Sequence, residues 1–119
     1  MLLYIHVPFC RRKCRYCAFY SNPLARSGDE MAVYLSALYA ELGQWGRRAE
    51  ISMEANPDSL HTAEKASGFL AAGVNRISLG VQSLHDGMLE TLGRLHRANA
   101  AREAFRAIRE AGCANLSLD

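Results

Sequence analysis

Apolar residues in this chain occur in short runs and in helical spacings that follow one another. Four short runs predict buried strands, at residues 2–7, 51–55, 75–81 and 116–118. Apolar residues spaced by three and four predict helices between these runs, over residues 31–42, 62–72 and 101–111. Because strand and helix alternate, we expect an α/β domain in which right-handed crossovers make the strands parallel.

A weak internal repeat agrees with this parallel arrangement. Residues 72–80 can be laid on residues 111–119 at a period of 39 residues, which suits one helix and one strand of a parallel fold. Ligands of such folds bind at the carboxyl ends of the strands. Four features lie at or just past predicted strand ends and therefore define one candidate site: the cysteine-containing loop, Glu54, residues 80–82 and Asp119.

Residues 9–28 show little periodicity and form a long predicted loop. Loops of more than about 15 residues usually have a functional role. This one contains the sequence CRRKCRYC at positions 10–17, with three cysteines and four basic residues in eight positions. The basic residues Arg11, Arg12, Lys13 and Arg15 are expected to favour thiolate over thiol and to offset a negatively charged ligand.

Composition narrows the classes of protein that remain. A chain of 119 residues with a net charge of +2 is about one small domain, and this charge argues for neither nucleic acid nor a membrane surface as partner. No apolar run reaches the roughly 18 residues that span a bilayer. Clustered cysteines suit metal chemistry in a reducing compartment, so the cytoplasm is the expected location.

Three interpretations of the cysteine cluster remain on the residues alone. Disulfides between cysteines this close in sequence are strained, and one thiol stays unpaired. A structural zinc ion usually needs a fourth ligand, for which His6 is the nearest candidate. Cys113 takes the place of Val74 in the repeat and is expected in the core. A [4Fe–4S] cluster fits better, because three thiolates leave a fourth iron open to a substrate.

The sequence also resembles the radical S-adenosylmethionine (SAM) superfamily, in the branch of the oxygen-independent coproporphyrinogen III oxidases and their heme-chaperone relatives. The segment YIHVPFC at 4–10 and the spacing CxxxCxxC carry this resemblance. EISMEANP at 50–57, GVNRISLGVQS at 73–83 and LGRLH at 92–96 support the branch. The resemblance implies a partial (β/α) barrel with a parallel sheet, here as a four-strand fragment.

The resemblance also implies cofactors and the residues that bind them. Cys10, Cys14 and Cys17 would ligate the [4Fe–4S] cluster, whose open iron binds the amino and carboxylate groups of SAM and whose reduction cleaves SAM to methionine and a 5′-deoxyadenosyl radical. Five further residues match SAM-binding positions of the family. Glu54 and Gln82 match ribose contacts, Arg94 the partner of the methionine carboxylate, Asp119 an acidic residue at the nucleoside end, and Tyr4 a position near SAM and the cluster.

One part of the family pattern is missing. The family has a further strand with a GGTP-type motif, whose backbone receives the amino group of SAM, whereas residues 42–50 here lead directly from helix to strand. We expect residues 1–119 to be the N-terminal part of a radical SAM core, without one β/α unit near residues 46–50 and without the rest of the barrel and the C-terminal domain. The first strand would then pair directly with the strand at 51–55. Poor cluster binding and weak or absent SAM cleavage are the expected consequences.

Within the branch, the expected function is that of a heme chaperone. The oxidases usually have a fourth cysteine two residues after the third, and this chain has Phe19 there. The predicted cofactors are a [4Fe–4S] cluster, SAM and heme, and the predicted partners are heme or a porphyrinogen, heme-acceptor proteins or an electron donor. The alternative is an oxygen-independent coproporphyrinogen III oxidase or dehydrogenase of heme biosynthesis, and a lesser one is a structural zinc-binding module.

Overall fold

A parallel sheet forms the centre of the protein. The structure is a computed structural model that describes residues 2–6, 8–23, 28–45 and 50–119. Its strands, in chain order, are β1 (Leu2–Ile5), β2 (Phe9–Cys10), β3 (Asn22–Pro23), β4 (Glu50–Ala55), β5 (Arg76–Leu79) and β6 (Asn115–Leu118). Strands β1, β4, β5 and β6 lie side by side in that order, and all neighbours are parallel. The prediction of an α/β fold with a four-stranded parallel sheet is confirmed.

Four helices connect these strands in the described part of the chain: α1 (Gly28–Trp45), α2 (Ala63–Ala71), α3 (Asp86–Thr91) and α4 (Ala98–Glu110). On α1 the predicted apolar face is the one that turns inward, and Leu42 on it is fully buried. The Thr62 hydroxyl accepts a hydrogen bond from the Lys65 amide, so α2 starts where a capping residue satisfies a free N–H. Helix α3 was not predicted, because six residues are too few to show helical periodicity.

The core lies between the sheet and the helices. Its centre is made by side chains of β4 and β5 that are fully buried, Ile51, Met53, Ile77 and Leu79. Helix α4 adds Ala101, Ala104 and Ile108, whose spacing of three and four matches the predicted inner face. Small residues at two of these positions allow the helix to approach the sheet closely.

The internal repeat is visible in the structure. Gly73 and Gly112 both have positive φ, 112° and 94°, and each ends a helix and leads into a strand. The next residues, Val74 and Cys113, are equally buried and donate the same backbone hydrogen bond to the preceding helix. Cys113 is therefore a small core residue, as the repeat predicted.

Strand β1 pairs directly with β4, in a register that runs from Leu2 beside Glu50 to Ile5 beside Met53. This is the pairing expected if no strand separates them. Residues 46–49, where the shortened connection was predicted, lie outside the described residues. The carboxyl ends of β1, β4, β5 and β6 consequently meet at one edge of the sheet, with the cysteine-containing loop following β1.

Two details differ from the sequence prediction. The loop after β1 is not without secondary structure, because β2 and β3 form a short parallel pair that brings residue 9 beside residue 22. Strand β5 ends at Leu79, two residues early, because the Val81 amide donates back to the Leu79 carbonyl at 2.8 Å. This turn takes the following residues out of the sheet and over its edge.

Candidate functional site

A pocket of about 190 Å³ lies at the carboxyl edge of the sheet. Its walls come from the cysteine-containing loop and from the segments that follow β4, β5 and α3, with Asp119 after β6. Seven of the eight predicted site residues line it: Cys10, Cys14, Cys17, Glu54, Gln82, Arg94 and Asp119. The eighth, Tyr4, donates a hydrogen bond from its hydroxyl to Glu54 Oε2 at 3.2 Å. The structure thus brings together residues that are up to 115 positions apart in the sequence, Tyr4 and Asp119.

The three cysteines of the loop are free thiols, and each is partly buried. A backbone hydrogen bond of 3.1 Å from the Cys17 amide to the Cys14 carbonyl closes a turn between the second and third cysteine. Burial raises the pKa of Cys10, the negative charges of Cys17 and Cys14 raise it further, and Arg94 lowers it. Thiolates grouped in one loop repel one another, so a cationic ligand is what would stabilise all three in the charged form.

Arg94 connects the cysteine loop to the ends of two strands. Its Nη2 donates to Asn56 Oδ1 at 3.0 Å and also to the Gly80 carbonyl, while its Nη1 lies 3.6 Å from Cys14 Sγ. The segment packs closely here, since a Cβ at position 80 would be in van der Waals contact with Arg94 Nη2 at 3.4 Å and with Asn56 Oδ1 at 3.5 Å. The Nε of Arg94 is buried and has no hydrogen-bond partner among the described residues.

Asn56 is a site residue that the sequence analysis missed. Its Oδ1 accepts from Arg94, and its Nδ2 lies 4.0 Å from Cys10 Sγ, a weak donor contact to sulfur. In the sequence, Asn56-Pro57 is typical of a turn, and the Ser59 hydroxyl does hydrogen-bond the Asn56 carbonyl at 3.0 Å. The signal for a further role was its place two residues after Glu54, just beyond the strand end.

Tyr4 and Glu54 lie on neighbouring strands, because β1 pairs with β4. Tyr4 sits beside Ser52 in the strand register, one pleat before Glu54 on the same face. Both side chains are exposed. Partial burial, the Glu54 charge and the hydrogen bond to Glu54 together raise the pKa of Tyr4, so this phenol stays protonated and donates. The bond holds the Glu54 carboxylate at the mouth of the pocket.

Gln82 and Asp119 are joined through the backbone. The Gln82 amide donates to the Asp119 carbonyl at 2.6 Å, and the Asp119 amide donates to the Leu79 carbonyl at 3.2 Å. The Ser78 hydroxyl, which the sequence analysis did not single out, donates to Asp119 Oδ1 at 3.4 Å. Gln82 has a φ of 66° and is the one non-glycine residue with positive φ in the described chain. Such a conformation costs roughly 1–2 kcal/mol and persists where neighbours hold it.

The basic residues of the loop behave less uniformly than the sequence analysis expected. Arg11, Arg12, Lys13 and Arg15 are all exposed. Arg12 donates through Nη2 to the Gly93 carbonyl at 2.8 Å and so fastens the loop to the turn before Arg94. The cation that acts on the pKa of Cys10 is Arg94, which is 84 positions away in the sequence.

His6, the fourth ligand that a zinc ion would need, is engaged elsewhere in the structure. Within the described ranges, no group of three His, Cys, Asp or Glu side chains is arranged to hold a single metal ion. His6 lies near the loop, but its Nε2 is hydrogen-bonded to the Tyr20 carbonyl at 2.9 Å and its ring stacks on Phe19. Cys113 is buried in the core, at the opposite end of β6 from the pocket.

The donor set fits an iron–sulfur cluster with an open site. Three free thiols from one loop line one wall, and no fourth thiol of the described chain shares the pocket. Arg94 lines the same pocket, and its guanidinium group is the kind of donor that a bound carboxylate would accept from. None of the described helices is long and apolar enough to cross a membrane.

Among solved structures, the chain is similar to that of coproporphyrinogen III oxidase (HemN) from Escherichia coli, described as a radical SAM enzyme. The superposition covers 99% of this chain and 36% of that one, with a TM-score of 0.72 and 21% identity. At this identity the similarity concerns the fold. No protein-family model matches the chain.

The chain is also similar in sequence to proteins of known function. The chain is 30% identical to the heme chaperone HemW of Bacillus subtilis (strain 168) and 31% identical to that of Escherichia coli (strain K12); each alignment covers 98% of this chain and 41% of the relative. It is 28% identical to the oxygen-independent coproporphyrinogen III oxidase of Paracoccus denitrificans (strain Pd 1222), over 98% of this chain and 35% of that protein. The predicted resemblance to this radical SAM branch is confirmed. The chain spans about two fifths of the length of these heme chaperones.

The alignments to these relatives are longer than the chain itself. The alignment to the Bacillus subtilis heme chaperone has 155 columns but holds 98% of the 119 residues of this chain, which is about 117 residues. About 38 columns (155 − 117) therefore contain a residue of the relative alone. This number of residues is close to the 39-residue period of one helix and one strand in this chain.

The contacts of Arg94 lead to a prediction about stability. Substitution Arg94→Lys keeps the charge but removes the planar fork that reaches Gly80, Asn56 and Cys14 together, and we expect a loss of about 1–3 kcal/mol in the free energy of unfolding. Urea denaturation followed by circular dichroism measures this loss. The control is Arg97→Lys, because Arg97 is exposed and its ion pair with Asp86 is long, at 3.8 Å. In this variant the free energy of unfolding should change by no more than about 0.5 kcal/mol. Equal losses in the two variants would contradict the role assigned to Arg94.

Proposed function

We propose that this chain binds a [4Fe–4S] cluster through Cys10, Cys14 and Cys17 and binds SAM in the same pocket, as part of a radical SAM heme chaperone. The observation that carries the proposal is the convergence of three free thiols with Glu54 and Arg94 in one pocket at the carboxyl edge of a parallel sheet. The similarity to heme chaperones over 98% of this chain supports it. We also propose a cytoplasmic location, where thiols stay reduced.

Each residue of the pocket has a task in this proposal. When bound, the cluster supplies an iron site open to SAM and the electron that cleaves it. Arg94, which lines the pocket, donates to the methionine carboxylate. Glu54 accepts a hydrogen bond from a ribose hydroxyl, and Tyr4 holds its carboxylate in place. Gln82 and Asp119 complete the nucleoside side of the pocket.

Heme handling is proposed rather than porphyrinogen oxidation because of residue 19. Oxidases of the branch usually have a fourth cysteine there, and the Phe19 of this chain has 55% of its surface exposed beside the cysteine loop. An exposed aromatic ring at the mouth of the pocket offers apolar surface on which a flat macrocycle can lie. The oxidase is the second candidate, supported by the 28% identity to the Paracoccus denitrificans enzyme. Heme-acceptor proteins or an electron donor are the proposed protein partners.

We further propose that the chain lacks one β/α unit of the radical SAM core between α1 and β4. The direct pairing of β1 with β4 and the roughly 38 unmatched columns support this proposal. An additional strand would move β1 and β4 apart by about 4.8 Å. Because the backbone that receives the amino group of SAM in the family belongs to that unit, this chain is expected to cleave SAM weakly.

Cluster binding has a direct test with a matched control in the same chain. After anaerobic reconstitution with iron and sulfide, we expect cysteine-dependent iron binding at less than one full cluster per chain, with broad absorbance near ~400 nm. Replacing Cys10, Cys14 or Cys17 by serine should remove most of it. Cys113→Ala, which changes the one cysteine outside the pocket, should retain it. Equal iron content in all four variants would sink the assignment of the ligands.

The choice between chaperone and oxidase is decided by two measurements on the reconstituted protein with the β/α unit restored, because the chain without it is expected to cleave SAM weakly. We expect heme titration to give a saturable change in the Soret absorbance, and incubation with coproporphyrinogen III, SAM and a reductant to give no decarboxylated product. In Phe19→Ala the heme affinity should fall by about fivefold or more, since an aromatic contact of ~1 kcal/mol is lost. Decarboxylated product with no saturable heme binding would favour the oxidase instead.

The missing unit can be tested by restoring it. We would replace residues 46–49 by the residues of the Bacillus subtilis heme chaperone that lie between its counterparts of α1 and β4, and measure 5′-deoxyadenosine by chromatography. Because a misplacement of about 1 Å can cost about 10²-fold in rate, we expect the insertion to raise SAM cleavage at least ~10-fold. A glycine-serine linker of equal length is the control and should give no increase. If the chain without an insertion cleaves SAM as fast as the Bacillus subtilis protein, the proposal is wrong.

A further inference from the structure

The turn after β5 holds Gln82 in an unfavourable backbone conformation. At a φ of 66° its Cβ crowds the neighbouring carbonyl, which an L residue avoids unless its surroundings keep it there. The Gln82 side chain lines the pocket. The contacts that keep this turn in place therefore also determine where the side-chain amide of Gln82 points.

Two side chains from one short segment hold two consecutive carbonyl groups of this turn. Arg94 donates to the Gly80 carbonyl, and His96 Nε2 lies 3.1 Å from the Val81 carbonyl. Leu95, between them, is exposed, so the chain alternates inward, outward and inward here. The Val81 carbonyl also accepts from the Ser83 amide at 2.8 Å, which makes it the central acceptor of the turn.

His96 is suited to this task by its surroundings. It is 4% exposed, the one charged or polar side chain of the described chain that is buried to this degree. A carbonyl can only accept, so the proton must be on Nε2, and the hydrogen bond sets the tautomer. Burial and the charge of Arg94 lower the pKa of His96 more than the Val81 carbonyl and Asp58 raise it, which keeps the ring neutral.

We propose that His96 is a positioning residue that fixes the turn at Val81 and thereby aims Gln82 at the nucleoside of SAM. The role in binding rests on the proposed SAM site, whereas the role in holding the turn does not. The positive φ at Gln82, the buried donor on His96 and the paired bonds from Arg94 and His96 all converge on this turn. The sequence carried no sign of it, since a histidine in LGRLH has no periodic or motif meaning by itself.

The first experiment measures amide hydrogen exchange by NMR in the protein without cofactors. In His96→Leu, which fills the buried position with an apolar side chain but loses the donor, we expect exchange at the backbone amides of Gln82 and Ser83 to be about tenfold faster, as for the loss of one buried hydrogen bond. His96→Gln has an amide nitrogen that can reach the Val81 carbonyl and should restore most of the protection.

Two controls separate positioning from general loss of stability. Leu95→Ala changes the exposed neighbour and should leave exchange at both amides unchanged. Ile108→Val loosens the core of α4, where Ile108 is fully buried, and should lower overall stability without a selective effect at Gln82. If Ile108→Val and His96→Leu accelerate exchange equally at Gln82, or if His96→Gln fails to restore protection, the proposal is overturned.

The second experiment measures SAM binding by equilibrium dialysis with the reconstituted protein. We expect His96→Leu to weaken the affinity about tenfold and His96→Gln to recover it to within about threefold. Unchanged affinity in His96→Leu, with faster exchange, would refute the aiming of Gln82 at SAM. No SAM binding by the wild type would refute the proposed function, and the exchange experiment would still decide whether His96 holds the turn.

Discussion

The parallel pairing of β1, β4, β5 and β6 is the constraint on which the candidate site depends. Parallel strands all end at the same edge of their sheet, so every segment that follows a strand is delivered to that edge. Here those segments are the cysteine loop, the turn at Asn56, the turn at Gln82 and Asp119. The set of side chains in the pocket is therefore a consequence of the sheet topology, because each segment already lies at that edge.

Arg94 turns this proximity into a defined arrangement. Its guanidinium group contacts the cysteine loop at Cys14, the turn after β4 at Asn56 and the turn after β5 at Gly80. A planar group with several donors in fixed directions can join three acceptors at once, which a lysine cannot do. The loop is fastened a second time by Arg12 at the Gly93 carbonyl, next to Arg94 in the chain. The site is thus assembled around one short segment, residues 93–96.

Much of the fold could be predicted from local patterns. The apolar face of α1, the inner face of α4 and the glycines that end α2 and α4 follow from helical periodicity and from the conformational freedom of glycine. The short pair of β2 and β3 and the six-residue helix α3 were missed, because two to six residues carry no measurable period. The early end of β5 was missed as well, since residues 80 and 81 are as apolar or small as a strand requires.

For the site, the sequence determined which groups are available: three closely spaced thiols, a carboxylate near the end of one strand and an amide after the next. Local spacing and side-chain chemistry are sufficient for that, because they are properties of neighbouring residues. Only the tertiary structure decided that Arg94, rather than the adjacent basic residues, lowers the pKa of Cys10. It also decided that Asn56 joins Arg94 to the cysteine loop and that His96 holds the Val81 carbonyl. These contacts join residues 15 to 84 positions apart, and their energies depend on distances that only the packed chain defines.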